Sequence, residues 1–258
     1  MIRFCKLLFS LFIGFSSYFG QVNIYFSDEN SLKYANNLFN NFEYELAMIE
    51  YSKLLDDYDF VLKKYLISSN KSENYDLGIS TFKSMDQDDT QQEILDEYFK
   101  ILFLNRNFEI LSKELATRNS KTSKSLKLAL NILSDSLIES TQLEGLPELK
   151  NVLLYKNQLK KKSPLLAGIA STLFPGAGKL YTGYHKDAIA SILFVGLNSY
   201  LSYRGFKKRG IKSGYGWIYS IAGVSFYLGN IYGSAKSAKT RNKQSKKDLY
   251  EKLDNLYN

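Results

Sequence analysis

Apolar side chains recur every three or four residues between residues 29 and 118, a spacing that places them on one face of successive α-helices. Glycine and proline, which interrupt helices, are scarce in this stretch. A further apolar series predicts that helix continues over residues 121–148, with a break at Gly145-Leu146-Pro147. Residues 21–150 therefore predict an all-α region built from short amphipathic helices.

A repeat runs through this helical region. Ala47 has counterparts at Gly78 and Leu111, at intervals of 31 and 33 residues. Two further positions recur in step with it, as Tyr44, Tyr75 and Phe108 and as Tyr51, Phe82 and Leu115. The segment Asn41–Tyr51 carries most of a resemblance to the tetratricopeptide repeat, whose period is about 34 residues. The resemblance implies antiparallel helix pairs that stack around a shared core; a bundle of ordinary amphipathic helices is the alternative.

The last third of the chain holds three apolar segments separated by short breaks. Leu165–Phe174 ends at Pro175-Gly176, whereas Ala188–Tyr203 and Tyr215–Gly233 contain no charged residue over 16 and 19 positions. A helix of about 20 apolar residues crosses a bilayer, so the two longer segments predict a C-terminal transmembrane helical hairpin. The first segment is too short to cross alone and is predicted to form a short or re-entrant helix, which leaves two and three crossings as alternatives.

Small residues predict how the two longer segments pack. Ser225, Gly229 and Gly233 follow one another at four-residue intervals, and such stripes let a neighbouring helix approach closely in lipid. The expected neighbour is the segment Ala188–Tyr203. Tyrosines and Trp217 flank the apolar segments as an interfacial aromatic belt would.

Charge divides the chain into an acidic part and a basic part. Residues 21–150 hold 14 Lys and Arg against 22 Asp and Glu, a net charge of −8, whereas residues 151–258 hold 18 against 4, a net charge of +14. A basic segment beside apolar spans favours contact with anionic lipid headgroups over nucleic acid. At the N-terminus, Arg3 and Lys6 precede an apolar run within residues 1–20, which is typical of a secretory signal, either cleaved or kept as an anchor.

The residue types that support catalysis and metal binding are scarce. Cys5 is the single cysteine and His185 the single histidine, so an intrachain disulfide and a cysteine metal cluster are excluded. The acidic runs at 56–59 and 86–89 lack the central glycine and terminal glutamate of a calcium loop. Gly178-Lys179 is not followed by the Ser or Thr of a phosphate loop. We predict no enzyme activity, no metal and no cofactor.

A second resemblance lies in the segment Pro175–Gly183, which is similar to the P-G-x-G-Q-x-Y-x-G signature of a bacterial membrane domain related to the two-transmembrane-helix family. Lys179 stands where that family has Gln. The resemblance implies a membrane domain in the bacterial envelope, of the kind that follows tetratricopeptide-like repeats in exported proteins. The motif residues are Pro175, Gly176, Gly178, Lys179, Tyr181 and Gly183.

These observations predict a chain with five parts: a signal peptide or anchor (1–20), a tetratricopeptide-like domain (21–150), a basic juxtamembrane helix (151–162), a membrane domain (163–235) and a basic tail (236–258). The predicted function is a non-enzymatic scaffold anchored in a bacterial membrane, with the inner membrane favoured. Its exported repeats would bind a partner protein or peptide through Tyr44, Tyr51, Tyr75 and Phe82. The alternative is a membrane-embedded assembly factor or oligomeric channel component that acts through residues 163–235.

Overall fold

The computed structural model describes residues 27–55, 59–85 and 91–258. Every regular element in these ranges is a helix, so the all-α prediction is confirmed. The predicted N-terminal signal, residues 1–20, lies outside the described residues, and so does most of the acidic runs at 56–59 and 86–89. The chain divides into two compact units: the first extends to Leu149 and includes Asp254–Asn258, and the second comprises Lys150–Leu253.

Within the described residues, the first unit contains three pairs of helices and a seventh helix. In each pair a helix of 13 residues precedes a shorter one. The helices are α1 (Asp28–Asn40), α2 (Tyr44–Ser52), α3 (Asp59–Lys71), α4 (Tyr75–Ser84), α5 (Gln92–Leu104), α6 (Phe108–Leu115) and α7 (Lys121–Leu133).

The turn inside each pair has the same backbone geometry. The second residue after the long helix has a positive φ, at Phe42 (64°), Glu73 (59°) and Arg106 (62°). The amide of the next residue then donates to a carbonyl five residues earlier, over 2.9, 3.0 and 2.9 Å respectively. These bonds satisfy carbonyls at the helix C-terminus that have no partner inside the helix. The recurring aromatic residues each begin the second helix of a pair: Tyr44, Tyr75 and Phe108.

The same turn ends α7 earlier than the apolar pattern predicts. Asp135 has a φ of 59°, and the helix stops at Leu133 instead of continuing to residue 148. Leu137, which lies beyond the turn, is fully exposed and contributes nothing to the core. A 3₁₀ helix at Ser140–Leu143 follows. The apolar series was misleading here because a local turn, and not the spacing of apolar residues, decides where the helix ends.

The core of the first unit is built on the recurring positions. A Cβ on Gly78 would lie 2.4 Å from Ser69 Oγ, so α3 and α4 approach more closely than a larger residue would allow. Phe82 stacks on Tyr98 with the ring centroids 4.0 Å apart. Other large side chains that are fully buried here are Tyr51, Leu54, Leu66, Phe99, Ile101, Leu102, Phe103, Leu111, Leu115, Leu126 and Ile132.

Buried tyrosines make the first unit sensitive to alkaline pH. Burial raises the pKa of Tyr98 to about 12, with a smaller contribution from the negative charge of Glu114. Burial also raises the pKa of Tyr51 to about 12. The folded protein therefore holds these phenol protons more tightly than the unfolded chain, in which a tyrosine has a pKa of about 10. We expect the free energy of unfolding to fall as the pH rises from about 10 to about 12, and urea denaturation at several pH values measures this loss.

The substitution Tyr98→Phe should make this fall less steep, because the variant has no phenol proton at that position. Tyr34→Phe is the matched control, since Tyr34 is exposed. If the pH dependence of Tyr98→Phe equalled that of the unmodified chain, the explanation by buried phenols would be wrong.

The second unit is formed by long helices and short breaks. After α8 (Pro147–Gln158) come α9 (Pro164–Leu173), α10 (Ala177–Thr182), α11 (His185–Arg209) and α12 (Gly214–Asp254). Ser163 caps α9, since its Oγ accepts a hydrogen bond from the Leu166 amide at 3.3 Å. The 41 residues of α12 run through the predicted basic tail, so the tail is not a separate segment. In the described part of the chain, no helix combines the length with the hydropathy that a membrane crossing requires.

Candidate functional site

Small and polar residues line the contact between α11 and α12. The two helices run antiparallel: a Cβ on Gly205 would lie 2.7 Å from Gly216 Cα, and a Cβ on Gly223 would lie 3.4 Å from Asn198 Cβ. Such a close approach is open only to small side chains. We call the buried small and polar positions of these helices the seam: Ala188, Ser191, Asn198, Ser202 and Gly205 on α11 and Gly216, Gly223, Asn230, Ser234 and Ala238 on α12. Ala188 and Asn230 also contact Gly176, and Ser234 contacts Ser171. Leu249 and Leu253, near the C-terminal end of α12, are buried as well.

Large apolar side chains of the same helices lie on the exposed face. Leu193 and Leu197 on α11 are 63% and 57% exposed, and Ile221 and Leu228 on α12 are 65% and 59% exposed. Other exposed apolar side chains of this unit are Leu165, Leu173, Phe174, Ile189, Phe194, Ile218, Val224 and Phe226. This inverts the arrangement of a water-soluble domain, in which large apolar residues are buried and polar residues are exposed.

The predicted packing stripe does not lie at this contact. Ser225 and Gly229 are exposed, and no atom lies within 4 Å of a Cβ placed on Gly229. A Cβ on Gly233 would meet the side chain of Lys179 at 3.6 Å, and not α11. The prediction fails because Gly229 and Gly233 each lie one residue before a buried position, Asn230 and Ser234, and one residue turns a position by about 100° around a helix. Nearer the start of α12, the buried positions Gly216, Gly223 and Asn230 follow a seven-residue spacing, which stays on one face of a helix.

The motif at Pro175–Gly183 forms a tight turn that only glycines fit. Gly176 and Gly183 both have a φ of 88°, a conformation that other residues rarely adopt. A Cβ on Gly176 would lie 2.6 Å from a carbonyl oxygen of α11. A Cβ on Gly178 would lie 1.9 Å from the carbonyl oxygen of Ala167 in α9. The glycines of the motif are therefore explained by close backbone contacts.

The other motif side chains also make contacts inside the second unit. The Tyr181 hydroxyl accepts a hydrogen bond from the Ser163 amide at 3.2 Å, and its ring centroid lies 4.6 Å from Lys162 Nζ. Lys179 Nζ donates to Ser191 Oγ at 2.8 Å. The ammonium group of Lys179 therefore lies at the seam, next to Ser191.

Hydrogen bonds connect the motif to α9 and α12. The Gly176 amide donates to Asn230 Oδ1 at 3.1 Å. The Gly178 amide donates to Ser171 Oγ at 3.0 Å, and Ser171 in turn donates to Ser234 Oγ at 2.7 Å. These groups are buried, so the bonds replace those that water would make. The three segments form one connected polar network.

A cavity of about 290 Å³ lies beside Lys179. We call it the Lys179 cavity; its lining includes the polar residues Lys179, Asp187, Ser191, Ser225 and Asn230 and the aromatic residues Phe194 and Phe226. Asn230 Nδ2 is buried and has no acceptor among the described residues. Unpaired buried donors are uncommon in folded proteins. The sequence analysis did not select Asn230, although an amide in the middle of a 19-residue stretch without charge was a usable signal.

Positive charge collects at the turn between α11 and α12. Arg204, Lys208 and Arg209 line a cavity of about 380 Å³ together with Ser213 and Tyr215. The sequence has no aspartate or glutamate between residues 188 and 247. The residues at this turn therefore carry positive charge, and no acidic residue lies close to them along the sequence.

The residues predicted to bind a partner in the first unit do not share one surface. Tyr51 and Phe82 are buried in the core, where the Tyr51 hydroxyl donates to Asn36 Oδ1 at 2.8 Å. Tyr44 and Tyr75 are half-buried. The exposed large apolar side chains of the helix pairs are instead Tyr34, Phe42, Leu46, Ile49, Phe60 and Leu77.

Within the described residues, no group of three or more His, Cys, Asp or Glu side chains is placed to hold a metal ion. Comparison of the chain with protein families, with curated proteins and with solved structures gave no match. The support for the candidate sites is therefore the arrangement of their residues in the structure.

Proposed function

We propose that the protein is a membrane-anchored helical scaffold, in which the second unit is embedded in lipid and the first unit provides a surface for a protein or peptide partner. The observation that carries this proposal is the inverted distribution of residues in the second unit. Complete burial of a leucine or isoleucine side chain stabilises a protein by about 1.5–3 kcal/mol, and each of these partly exposed side chains forgoes part of that free energy in water. A continuous face of such residues is expected where lipid or another protein covers it.

The low mean hydropathy of α11 and α12 is compatible with this proposal. Mean hydropathy averages every residue of a helix, whichever way its side chain faces. In α11 and α12 the seam contains serines, asparagines and glycines, while several leucines and isoleucines, such as Leu193, Leu197, Ile221 and Leu228, lie on the exposed face. Small residues that allow close helix contact, with large apolar ones outward, are typical of helix pairs in membranes.

The charges around the second unit also favour a lipid surface. Arg204, Lys208 and Arg209 lie at one end of the α11–α12 hairpin. Trp217 lies in the first turn of α12, and its indole N–H donates to the carbonyl of Ile211 at 2.9 Å. Cationic side chains and tryptophan are enriched where helices meet phospholipid headgroups. We assign this turn to the headgroup region.

The proposed partner surface rests on the repeated turn of the first unit. Three helix pairs with the same turn are the kind of unit that stacks in tetratricopeptide-like arrays, which bind extended segments on their concave face. Phe42, Leu46 and Leu77 are exposed on these pairs and are the first candidates for contact. Tyr44 and Tyr75 each begin the second helix of a pair and are half-buried. In the sequence they lie two residues from Phe42 and Leu77 respectively.

The test of the membrane proposal is flotation of the full-length chain with liposomes, followed by an alkaline carbonate wash. The unmodified chain should float and stay with lipid. The double variant L193K/I221K places two lysines on the exposed apolar face and should reduce the lipid-bound fraction strongly, because a central charge opposes insertion by about 2.5–3.5 kcal/mol per residue. L137K is the matched control, since Leu137 is fully exposed in the first unit.

Two outcomes would reject the proposal. If the unmodified chain stayed at the bottom of the gradient as a monomer, no lipid would cover the apolar face. If the chain stayed out of the lipid but formed a stable oligomer that L193K/I221K dissociated, the face would be an interface between copies. Equal flotation of L193K/I221K and L137K would place the lipid contact elsewhere.

A further inference from the structure

The Lys179 cavity has a buried donor whose orientation is fixed. Asn230 is 3% exposed, and its Oδ1 accepts the Gly176 amide at 3.1 Å. Only the oxygen of the side-chain amide can accept that hydrogen bond, so the amide cannot be reversed. Its Nδ2 group then has two N–H donors and no acceptor among the described residues. An unpaired buried donor of this kind destabilises the folded state unless a ligand or water satisfies it.

Lys179 adds a positive charge to the same cavity. Its ammonium group has three N–H donors, and one of them is directed to Ser191 Oγ at 2.8 Å. The Ser191 hydroxyl proton is itself donated to the carbonyl of Asp187 at 2.8 Å. Ser191 thus accepts from Lys179 and has no proton left for a ligand. The remaining N–H groups of Lys179 and Asn230 are donors, which match an anionic oxygen; the hydroxyl of Ser225 and the carboxylate of Asp187 also line the cavity.

Part of the lining of the cavity is aromatic and apolar. Phe194 and Phe226 stack with their ring centroids 5.2 Å apart and an interplanar angle of 18°. Both belong to the exposed apolar face, at 52% and 45% exposure. The lining of the cavity therefore combines N–H donors with apolar rings, the two kinds of group that an amphiphilic ligand contacts.

We propose that the Lys179 cavity binds the phosphate group of one phospholipid molecule, with an acyl chain of the lipid along Phe194 and Phe226. Charge-assisted hydrogen bonds from Lys179 and Asn230 hold the phosphate oxygens. The carboxylate of Asp187 also lines the cavity, and its charge offsets that of Lys179. A phosphodiester with one negative charge suits this balance better than free phosphate, which carries nearly two. This inference rests on the proposed contact of the second unit with lipid.

Native mass spectrometry of the full-length chain in detergent tests the proposal with three added probes: dioleoylphosphatidylglycerol, dioleoylglycerol and sodium phosphate. The phosphatidylglycerol adduct should be at least about tenfold tighter than that of dioleoylglycerol, which has the same chains without the phosphate. In K179M the phosphatidylglycerol adduct should weaken by about the same factor. N230D should also weaken it, because this change keeps an oxygen for the Gly176 amide and removes the N–H donors.

K186M is the matched control, because Lys186 is exposed and does not line the cavity. The emission of Trp217, the only tryptophan of the chain, verifies that each variant keeps its fold. If K179M failed this check, K179R would replace it and should retain binding, whereas N230D should still lose it. Equal phosphatidylglycerol binding by the unmodified chain, K179M and N230D would overturn the proposal, as would equal binding of dioleoylglycerol.

Tight binding of sodium phosphate that displaces phosphatidylglycerol would overturn the lipid assignment and make this a site for soluble phosphate. Different results would reject this proposal and the proposed function. K179M should still float with liposomes, since the apolar face is unchanged. If the unmodified chain floats but K179M and N230D do not change phosphatidylglycerol binding, only the cavity proposal is rejected. If the unmodified chain does not float, the proposed contact of the second unit with lipid is rejected.

Discussion

Gly178→Ala should destabilise the second unit by roughly 3 kcal/mol, near the upper end of the range for overpacking. The added Cβ would lie 1.9 Å from the carbonyl oxygen of Ala167 and 2.6 Å from Ser171 Oγ. The nearest atom belongs to the backbone of α9, so it cannot move aside as a flexible side chain would. The shift would also break the hydrogen bond from the Gly178 amide to Ser171 Oγ, and with it the link to Ser234.

The emission of Trp217 during thermal unfolding in detergent measures this effect, because the only tryptophan of the chain lies in the second unit. Gly196→Ala is the matched control. A Cβ on Gly196, inside α11, would meet no atom within 4 Å, and alanine favours a helix interior by up to about 1 kcal/mol over glycine. The two variants should therefore shift the transition in opposite directions. Similar transitions for Gly178→Ala and the unmodified chain would show that α9 and α10 do not meet as described.

Tyr257→Ala should destabilise the first unit by about 3–5 kcal/mol, the usual loss for a buried aromatic side chain. Tyr257 is 6% exposed, and its ring centroid lies 5.0 Å from that of Phe103. Its hydroxyl pairs with Ser125 Oγ at 2.8 Å, and its carbonyl accepts from Asn70 Nδ2 at 3.0 Å. Removal of the ring leaves a cavity beside α5 and α7.

Hydrogen–deuterium exchange of peptides from α5 and α7 measures this loss separately from the second unit, and exchange should become faster throughout both helices. Tyr257→Phe should have a much smaller effect of about 1 kcal/mol, because it removes only the hydrogen bond to Ser125. Tyr34→Ala is the control, since Tyr34 is more than half exposed. Unchanged exchange in Tyr257→Ala would mean that the C-terminal segment does not contribute to the stability of the first unit.

A charge pair supports the same attachment of the C-terminal segment. Arg106 donates from both terminal nitrogens to the carboxylate of Asp254, over 2.7 and 2.6 Å. Arg106 is the residue with positive φ in the third repeated turn. The pair is partly exposed, so it adds less to stability than the burial of Tyr257.

Some features that depend on neighbours in the chain were predicted, although the local turn at Asp135 that ends α7 was not. The all-α class was confirmed. The break at Pro175-Gly176 also lies where the sequence indicates it, between α9 and α10. Capping, helix breaking and three- to four-residue periodicity act within one or two turns of a helix, so the local sequence contains the information they need.

Features that depend on distant residues were not predicted. Ser225, Gly229 and Gly233 were expected at the helix contact, but the seam uses other positions of α12. Tyr51 and Phe82 were expected on a binding surface, but they lie in the core. The sequence shows that one face of a helix carries different side chains from the other. Which face is buried depends on the helices that pack against it in the folded protein.

The sequence by itself determined the order of helices and breaks, the acidic and basic parts, and the glycines at the tight turn. Only the tertiary structure decided that Asn230 meets Gly176 across 54 residues and that Tyr257 packs against Phe103 in the first unit. It also decided that the seam of α11 and α12 is lined by small and polar residues, while Leu193, Leu197, Ile221 and Leu228 lie on the exposed face. The physical reason is the distance along the chain over which each interaction acts. Hydrogen bonds within a helix join residues four apart, whereas packing between helices depends on which residues the whole fold brings together.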